Sequence, residues 1–259
     1  MEINNQIGEE KIVLVVDDDE ICRCVTAEIL ICLGLRVDAV PDAAHAMALA
    51  KENSYDLVLL DMHMPDVDGK QLAGMLLESD AVDKDALFIL TGAEGDAKVE
   101  TTPDGRELRV IRKPLENAWV ETYFSNQVTR KPSAGNDGHE GAQIKGFDIP
   151  SAIKNFLGYE GAFFNILREF PEYGTNFVSE YSAHLRSKNF KECERLAHSI
   201  KGSSLMIGAK EINVLAKELE SICFTTSNVQ QIKTVFEKLE KKILEASENV
   251  RMYFRHQEQ

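Results

Sequence analysis

Leu57–Gly69 reads LVLLDMHMPDVDG. Four apolar residues run straight into Asp61, and Pro65 and Gly69 then stop any continuation. A short unbroken apolar run bounded by turn residues is the pattern of a strand buried on both faces. Asp61 is therefore expected at the carboxyl end of a central strand, the edge where open α/β sheets place their ligand sites. A carboxylate there serves as a nucleophile, a metal ligand or a turn former.

Outward from this stretch the same punctuation recurs. Ile12–Val16 is a β-branched run ending in Asp17-Asp18-Asp19, Leu35–Val40 reads as a strand, Ala86–Leu90 ends in Thr91, and Val110-Ile111 leads to Lys113-Pro114. Between them lie helical segments at Glu20 to about Leu33, with Gly34 just past the end, at Ala43–Glu52, at Gly69–Glu78 and from about Leu115 to Asn126. Strands alternating with helices at this spacing predict a parallel sheet covered on both faces. Asp17/Asp18, Asp61, Thr91 and Lys113 each close a different strand, so the sheet should bring them to one pocket. A turn-forming role explains any one of them singly but explains their common placement poorly.

Residues 129–147 are polar and Gly-rich, the composition of a flexible linker; His139 within it reads as a solvated loop histidine. Beyond them the period becomes helical. Pro171 should separate a helix ending near Phe170 from the next. Asn189 with Glu192 resembles a capping box. Ile212, Leu215, Leu219 and Ile222 form a stripe, and Val229, Ile232, Phe236, Leu239, Ile243, Ala246 and Val250 form a bundle seam. In ERLAHSIKGSSLMIGA (194–209), at about 100° per residue, Cys193, Leu196, Ala197, Ile200, Ser204 and Ile207 share one face. His198 points the opposite way, which predicts an exposed imidazole flanked by Lys201 and Gly202. A glycine inside a helix costs about 1 kcal/mol relative to Ala; clearance for an approaching partner is a reason for it. Leu205, apolar on the same outward face, suggests docking.

The chain carries 43 acidic and 29 basic side chains. Residues 1–130 hold 26 acidic against 12 basic, and residues 131–259 hold 17 of each. All the acidic excess lies in the first half, where no basic patch could neutralise phosphates, which argues against nucleic-acid partners. No apolar run approaches the length of a membrane span, and MEINNQIGEEK lacks the pattern of a signal peptide. Five cysteines with no CxxC spacing fit packed thiols in a reducing cytoplasm.

VVDDD, LLDMHMPDVDG, FILTG and VIRKP resemble, in order and spacing, the signatures of response-regulator receiver domains over about residues 10–128. HSIKGSS resembles the phosphoacceptor motif of histidine phosphotransfer (HPt) domains over about residues 148–255. The first resemblance implies an α/β flavodoxin-like fold with strand order 2-1-3-4-5. It also implies phosphorylation of Asp61, with Mg²⁺ held by Asp18, Asp61 and the His63 backbone carbonyl while Asp17 assists. Lys113 would neutralise phosphoryl charge, and Thr91 would hydrogen-bond the attached group. The second implies an all-α four-helix bundle with His198 as phosphoacceptor and Lys201 as its cation.

Two departures bear on output. Val110 stands where the receiver family usually has an aromatic, and the stretch after Thr91 contains Pro103 and Gly105 and predicts a short fourth helix. Both bring into question the usual signalling face of helix 4, strand 5 and helix 5.

The expected organisation is a receiver domain (1–128), a linker (129–147) and an HPt domain (148–259), with Met1 favouring a free-standing chain. The expected function is phosphorelay signalling: a sensor histidine kinase upstream, a separate receiver downstream, and no membrane partner. No GxxxxGK[ST] or nucleotide lid is present, so no ATP-dependent kinase activity of its own is expected, only self-catalysed phosphorylation and dephosphorylation at the receiver. Two alternatives are an aspartate-nucleophile phosphatase, from the Asp17-x-Asp19 pattern, and a phosphorylation-independent scaffold.

Overall fold

Five-residue runs of β-branched and leucine side chains build the centre of the first half. The computed structural model describes residues 11–79, 81–92, 100–124, 139, 141–226 and 228–257. Strands β1 (Ile12–Val16), β2 (Arg36–Val40), β3 (Leu57–Asp61), β4 (Leu87–Thr91) and β6 (Glu107–Arg112) form a parallel sheet in the order β2-β1-β3-β4-β6. This is the expected 2-1-3-4-5 order. It differs in one respect: a two-residue strand β5 (Glu100–Thr101) adds antiparallel to β6 at the edge.

The reason lies in Thr102–Arg106. The Thr102 amide donates to the Arg106 carbonyl (2.9 Å), the Gly105 amide donates to the Thr102 carbonyl (2.9 Å), and Gly105 takes φ +89°. Pro103 and Gly105, read as helix-shortening residues, are the turn of a hairpin. The remainder of the expected fourth helix, residues 93–99, lies outside the described residues.

Side chains alternate across the sheet. Leu14, Val16, Val58, Leu60, Leu87 and Ile89 face one core under α2 (Ala43–Glu52) and α3 (Gly69–Glu78). Val13, Val15, Leu57, Leu59, Phe88 and Leu90 face the other, which runs on without interruption into the helical half. Helix α1 (Glu20–Cys32) is the connection. Eight of its thirteen residues are buried, a wider stripe than one packing partner requires, because α1 lies between the sheet on one side and α6 and α7 on the other. Among the described residues the last helix of this half is α4 (Asn117–Tyr123).

The second half is a short α5 (Ile149–Asn155) followed by α6 (Glu160–Arg186), α7 (Phe190–Met206), α8 (Lys210–Thr225) and α9 (Val229–Gln257). The expected bundle seam on α9 is buried from Ile232 to Val250. Pro171 does not divide α6: the helix continues through it. Proline removes one donor from the helical ladder, but Phe163, Phe164, Phe170, Phe177 and Tyr181 are buried on both sides of it, and that packing keeps one axis. At Gly174 a Cβ would sit 2.6 Å from Ile243, so α6 and α9 approach closely there.

Most of the predicted linker lies outside the described residues. His139, however, is not a solvated loop residue. Its ring stacks on Phe164 at 3.9 Å and its Nδ1 lies 2.7 Å from the Tyr253 hydroxyl. The polar neighbours gave no sign of this contact, which is made by residues far along the chain. Among the described residues no helix is long and apolar enough to cross a membrane. All five cysteines are free, four of them buried and Cys24 exposed.

Candidate functional site

The sheet edge assembles as its register requires. Asp61 pairs with Leu90 and Thr91 with Arg112, and the Lys113 amide donates to the Thr91 carbonyl at 2.8 Å. Lys113 therefore starts beside Thr91 and reaches across to both acidic strands. Its ammonium lies 2.6 Å from Asp17 Oδ2 and 2.6 Å from Asp61 Oδ1. Asp17 is fully buried and Asp61 is 4% exposed. The other Asp61 oxygen accepts the His63 amide (3.1 Å). Gly69 closes the loop where no other residue fits, since a Cβ there would lie 2.2 Å from the Asp61 carbonyl oxygen. Asp68 and Gln71 then start α3 with a reciprocal cap.

Electrostatics separate the two buried carboxylates. Burial pushes Asp17 well above the usual range, against the pull of Lys113. Burial pushes Asp61 up too, but the charge and hydrogen bond of Lys113, with His198 and His63 nearby, outweigh it and hold this carboxyl low. Burial alone would lower the Lys113 ammonium; Asp17 and Asp61 raise it well above its ordinary value instead. Burial brings Asp18 up to about 7, and Arg195 only partly offsets this.

The donor set suits a hard divalent cation. Oxygens of Asp17, Asp18 and Asp61 all lie within 4.8 Å of one another, and Asp18 Oδ1 is buried with no hydrogen-bond partner. All-oxygen donors of this kind suit Mg²⁺, which keeps several waters and binds through one or two carboxylates. Of His63, the amide and the ring contribute visibly to the site.

His198 is brought to this same edge. It is not exposed as its helical position predicted: its side chain is 20% exposed, because the sheet half covers the face of α7 that the bundle leaves open. A Cβ on Gly92, the residue after Thr91, would lie 3.9 Å from His198 Nε2. The His63 and His198 rings meet edge to face at 4.5 Å. On the other side of the imidazole, Nδ1 lies 2.5 Å from Glu220 Oε1. Lys201 binds both Glu220 oxygens at 2.8 and 2.7 Å; its 3.3 Å approach to Nδ1 brings two donors together and is secondary. The Glu220 carboxylate makes Nδ1 the donor nitrogen, and in the neutral ring this tautomer leaves the lone pair on Nε2.

Contacts between the halves surround this meeting point. Asp19 caps α1 by accepting the Cys22 amide (2.8 Å), and it also accepts Ser203 Oγ (2.7 Å) and the Tyr173 hydroxyl (2.5 Å). Arg195 forms an ion pair with Asp18. Gly202 provides clearance, as its cost implied, but for α1 rather than for the imidazole: a Cβ there would lie 3.3 Å from Cys22 Sγ. A cavity of about 290 Å³ between the halves is lined by Asp61, Lys113, His198, Lys201 and the half-exposed Leu205.

The structure thus brings Asp17, Asp18, Asp61, Thr91, Lys113, His198 and Lys201 to one region. Sequence reasoning missed Glu220, Arg195, Tyr173 and Ser203. Arg195, three residues before His198, shares its helix face and was open to discovery; Glu220 lies 22 residues away on another helix and was not. Asp19, given above as half of a phosphatase motif, has its oxygens committed to capping and docking.

Residues 13–122 match the response regulator receiver domain family and residues 165–249 match the Hpt domain family. The two-component response regulator ORR24 of Oryza sativa subsp. indica is 30% identical over 145 residues, 52% of this chain and 22% of that protein. The aerobic respiration control sensor protein ArcB of Escherichia coli (strain K12) is 26% identical over 216 residues, 81% of this chain and 27% of that protein. The chain thus spans about a quarter of the length of these relatives. A CheY-like receiver domain protein from Methanospirillum hungatei JF-1 superposes with a TM-score of 0.36 at 26% identity, covering 44% of this chain and 93% of that one.

Proposed function

Because the chain belongs to the two-component phosphorelay proteins, with a receiver domain followed by an HPt domain, we propose that it takes a phosphoryl group on Asp61 and exchanges it with His198 of the same molecule. The observation that carries this reading is the placement of His198 Nε2 against Gly92 at the phosphoacceptor edge, with Nδ1 held by Glu220. The receiver is taken as residues 1–128, the linker as 129–147 and the HPt domain as 148–259.

In the transfer step the Nε2 lone pair attacks the phosphorus of the acyl phosphate on Asp61. The N–P bond forms as the Asp61 P–O bond breaks, the carboxylate is regenerated, and the proton stays on Nδ1, shared with Glu220. Mg²⁺, held by Asp18, Asp61 and the His63 carbonyl with Asp17 assisting, would supply charge neutralisation at the phosphoryl oxygens. Lys113, between Asp17 and Asp61, is positioned to follow the negative charge from carboxylate to phosphoryl group. Thr91, at the neighbouring strand end, is within the same edge to hydrogen-bond it. Lys201 balances Glu220 and offers a cation once His198 is phosphorylated. A sensor histidine kinase would supply the group, and a separate receiver would exchange it with His198 when the halves part.

The test is to charge Asp61 with a small phosphodonor and follow acid-labile label on His198 across a dilution series. A rate independent of concentration is expected. A rate proportional to concentration, or rescue on mixing Asp61→Asn and His198→Gln chains, would show transfer between molecules and overturn the reading.

A further inference from the structure

Tyr173 and Ser203 reach from the helical half to Asp19, whose oxygens serve only as hydrogen-bond acceptors. Arg195 reaches one residue further, to Asp18, and Asp18 is one of the three carboxylates that converge as a cation site. The guanidinium is tightly held: its side chain is 15% exposed, its Nε lies 2.7 Å from Glu192 and a terminal nitrogen 3.6 Å from Glu180. It contacts Asp18 through Oδ2, while Oδ1 has no partner.

Charge decides whether Asp18 can serve both cations at once. Lys113 already neutralises one of the three converging carboxylates through its contacts with Asp17 and Asp61. With Arg195 held on Asp18 Oδ2, a dication bound by the same carboxylate would lie within a few ångströms of the guanidinium, whereas an Arg195 turned back to Glu192 and Glu180 leaves both Asp18 oxygens to the cation. Like charges a few ångströms apart in a partly buried pocket repel strongly. Resting on the reading above that these carboxylates hold Mg²⁺, we propose that Arg195 and the divalent cation are alternative partners of Asp18. Metal binding in the receiver then loosens the docked HPt domain, and docking weakens metal binding by the same factor, as linkage requires. Arg195 retains Glu192 and Glu180 as partners when it leaves, so its release strands no buried charge. The consequence is a relay in which the cation that prepares Asp61 also frees the His198 face for exchange with an outside receiver.

The measurement is Mg²⁺ binding by calorimetry to the full chain, its Arg195→Gln variant and its Asp18→Asn variant, at fixed ionic strength. Arg195→Gln keeps a good helix former on α7 and is expected to bind Mg²⁺ about tenfold more tightly, within the usual range for coupled sites. In a Cys24→Ser background, Cys22, which is 2% exposed against α7, reports docking through its labelling by a thiol reagent. Mg²⁺ should accelerate that labelling with Arg195 present and have little effect in Arg195→Gln. Unchanged or weaker Mg²⁺ binding in Arg195→Gln, with binding lost in Asp18→Asn, would overturn the competition while leaving the metal pocket standing. Undiminished binding in Asp18→Asn would overturn the pocket and the competition together.

Discussion

The pocket around Asp61 and the imidazole of His198 are built in opposite ways. Asp17, Asp61, Thr91 and Lys113 all leave the ends of parallel strands whose register is fixed by backbone hydrogen bonds. Their convergence is a property of the sheet, and a single domain supplies it. His198 stands on one helix, takes its orientation from Glu220 on another, and meets its neighbours His63 and Gly92 across a boundary between domains. The first site is locked by a buried ion pair. The second is set by packing and by one carboxylate, and is correspondingly easier to loosen.

The contrast breaks most sharply at Lys113. Lys113→Met leaves two buried carboxylates facing one another without a cation and is expected to destabilise the receiver half by about 3 kcal/mol, read from urea unfolding. A loss below about 1 kcal/mol would mean that protonation of Asp17 relaxes the pocket and that it is no more rigid than the His198 site.

Next in size is Glu220. Glu220→Ala removes the acceptor that orients Nδ1, and the ratio of His198 label to Asp61 label should fall by up to about 100-fold, as for a misaligned reacting atom. An unchanged ratio would mean that packing alone sets the imidazole. The same residue gives a pH signature. Burial raises the Glu220 carboxyl, but hydrogen bonds from His198 and Lys201 outweigh it and bring it from its usual 4.5 to about 2. Because the folded value is the lower one, its stabilisation is complete above about pH 4.5 and is lost as pH falls toward 2. The stability difference between the wild-type chain and Glu220→Gln should be constant above that window and shrink through it. A difference that instead grew on acidification would contradict the assignment.

How much of this was legible depends on which element carries it. Alternating strands and helices made the Asp61 pocket readable, because a parallel sheet converts one-dimensional punctuation into a shared edge. The face of α7 was readable from its period, and His198 does stand outside the bundle core. Its coverage by the other domain was not readable, since no local pattern states which surface will meet α1. Pro171 misled because ten buried residues on α6 outweigh one missing donor, and His139 misled because its partners Phe164 and Tyr253 lie far along the chain. Pro103 and Gly105 were correctly seen as helix breakers, but the hairpin they form needs β6 as a partner. Asn189 gave half of its predicted cap: it accepts the Glu192 amide, while the Glu192 carboxylate turns to Arg195 instead.

The smallest expected effect is at Gly202. Gly202→Ala gains about 1 kcal/mol of helix propensity and should raise the melting midpoint of the bundle by a few degrees, yet its Cβ crowds Cys22 at 3.3 Å. Stability of the bundle and tightness of docking should therefore move in opposite directions, the latter seen as faster labelling of Cys22. If both moved together, the clearance at Gly202 would serve some purpose other than admitting α1.

The central claim is that His198 meets the Asp61 pocket of its own chain, and one substitution tests it directly. A Cβ at position 202 lies 3.3 Å from Cys22 Sγ, close to the separation that a disulfide of ordinary geometry spans. In a Cys24→Ser chain, Gly202→Cys should therefore give an intramolecular disulfide with the native Cys22 under mild oxidation. It should run as a monomer on a non-reducing gel, with a yield independent of protein concentration. Failure to form the bond, or formation only of concentration-dependent disulfide-linked dimers, would contradict the docked arrangement and the transfer within one molecule that rests on it.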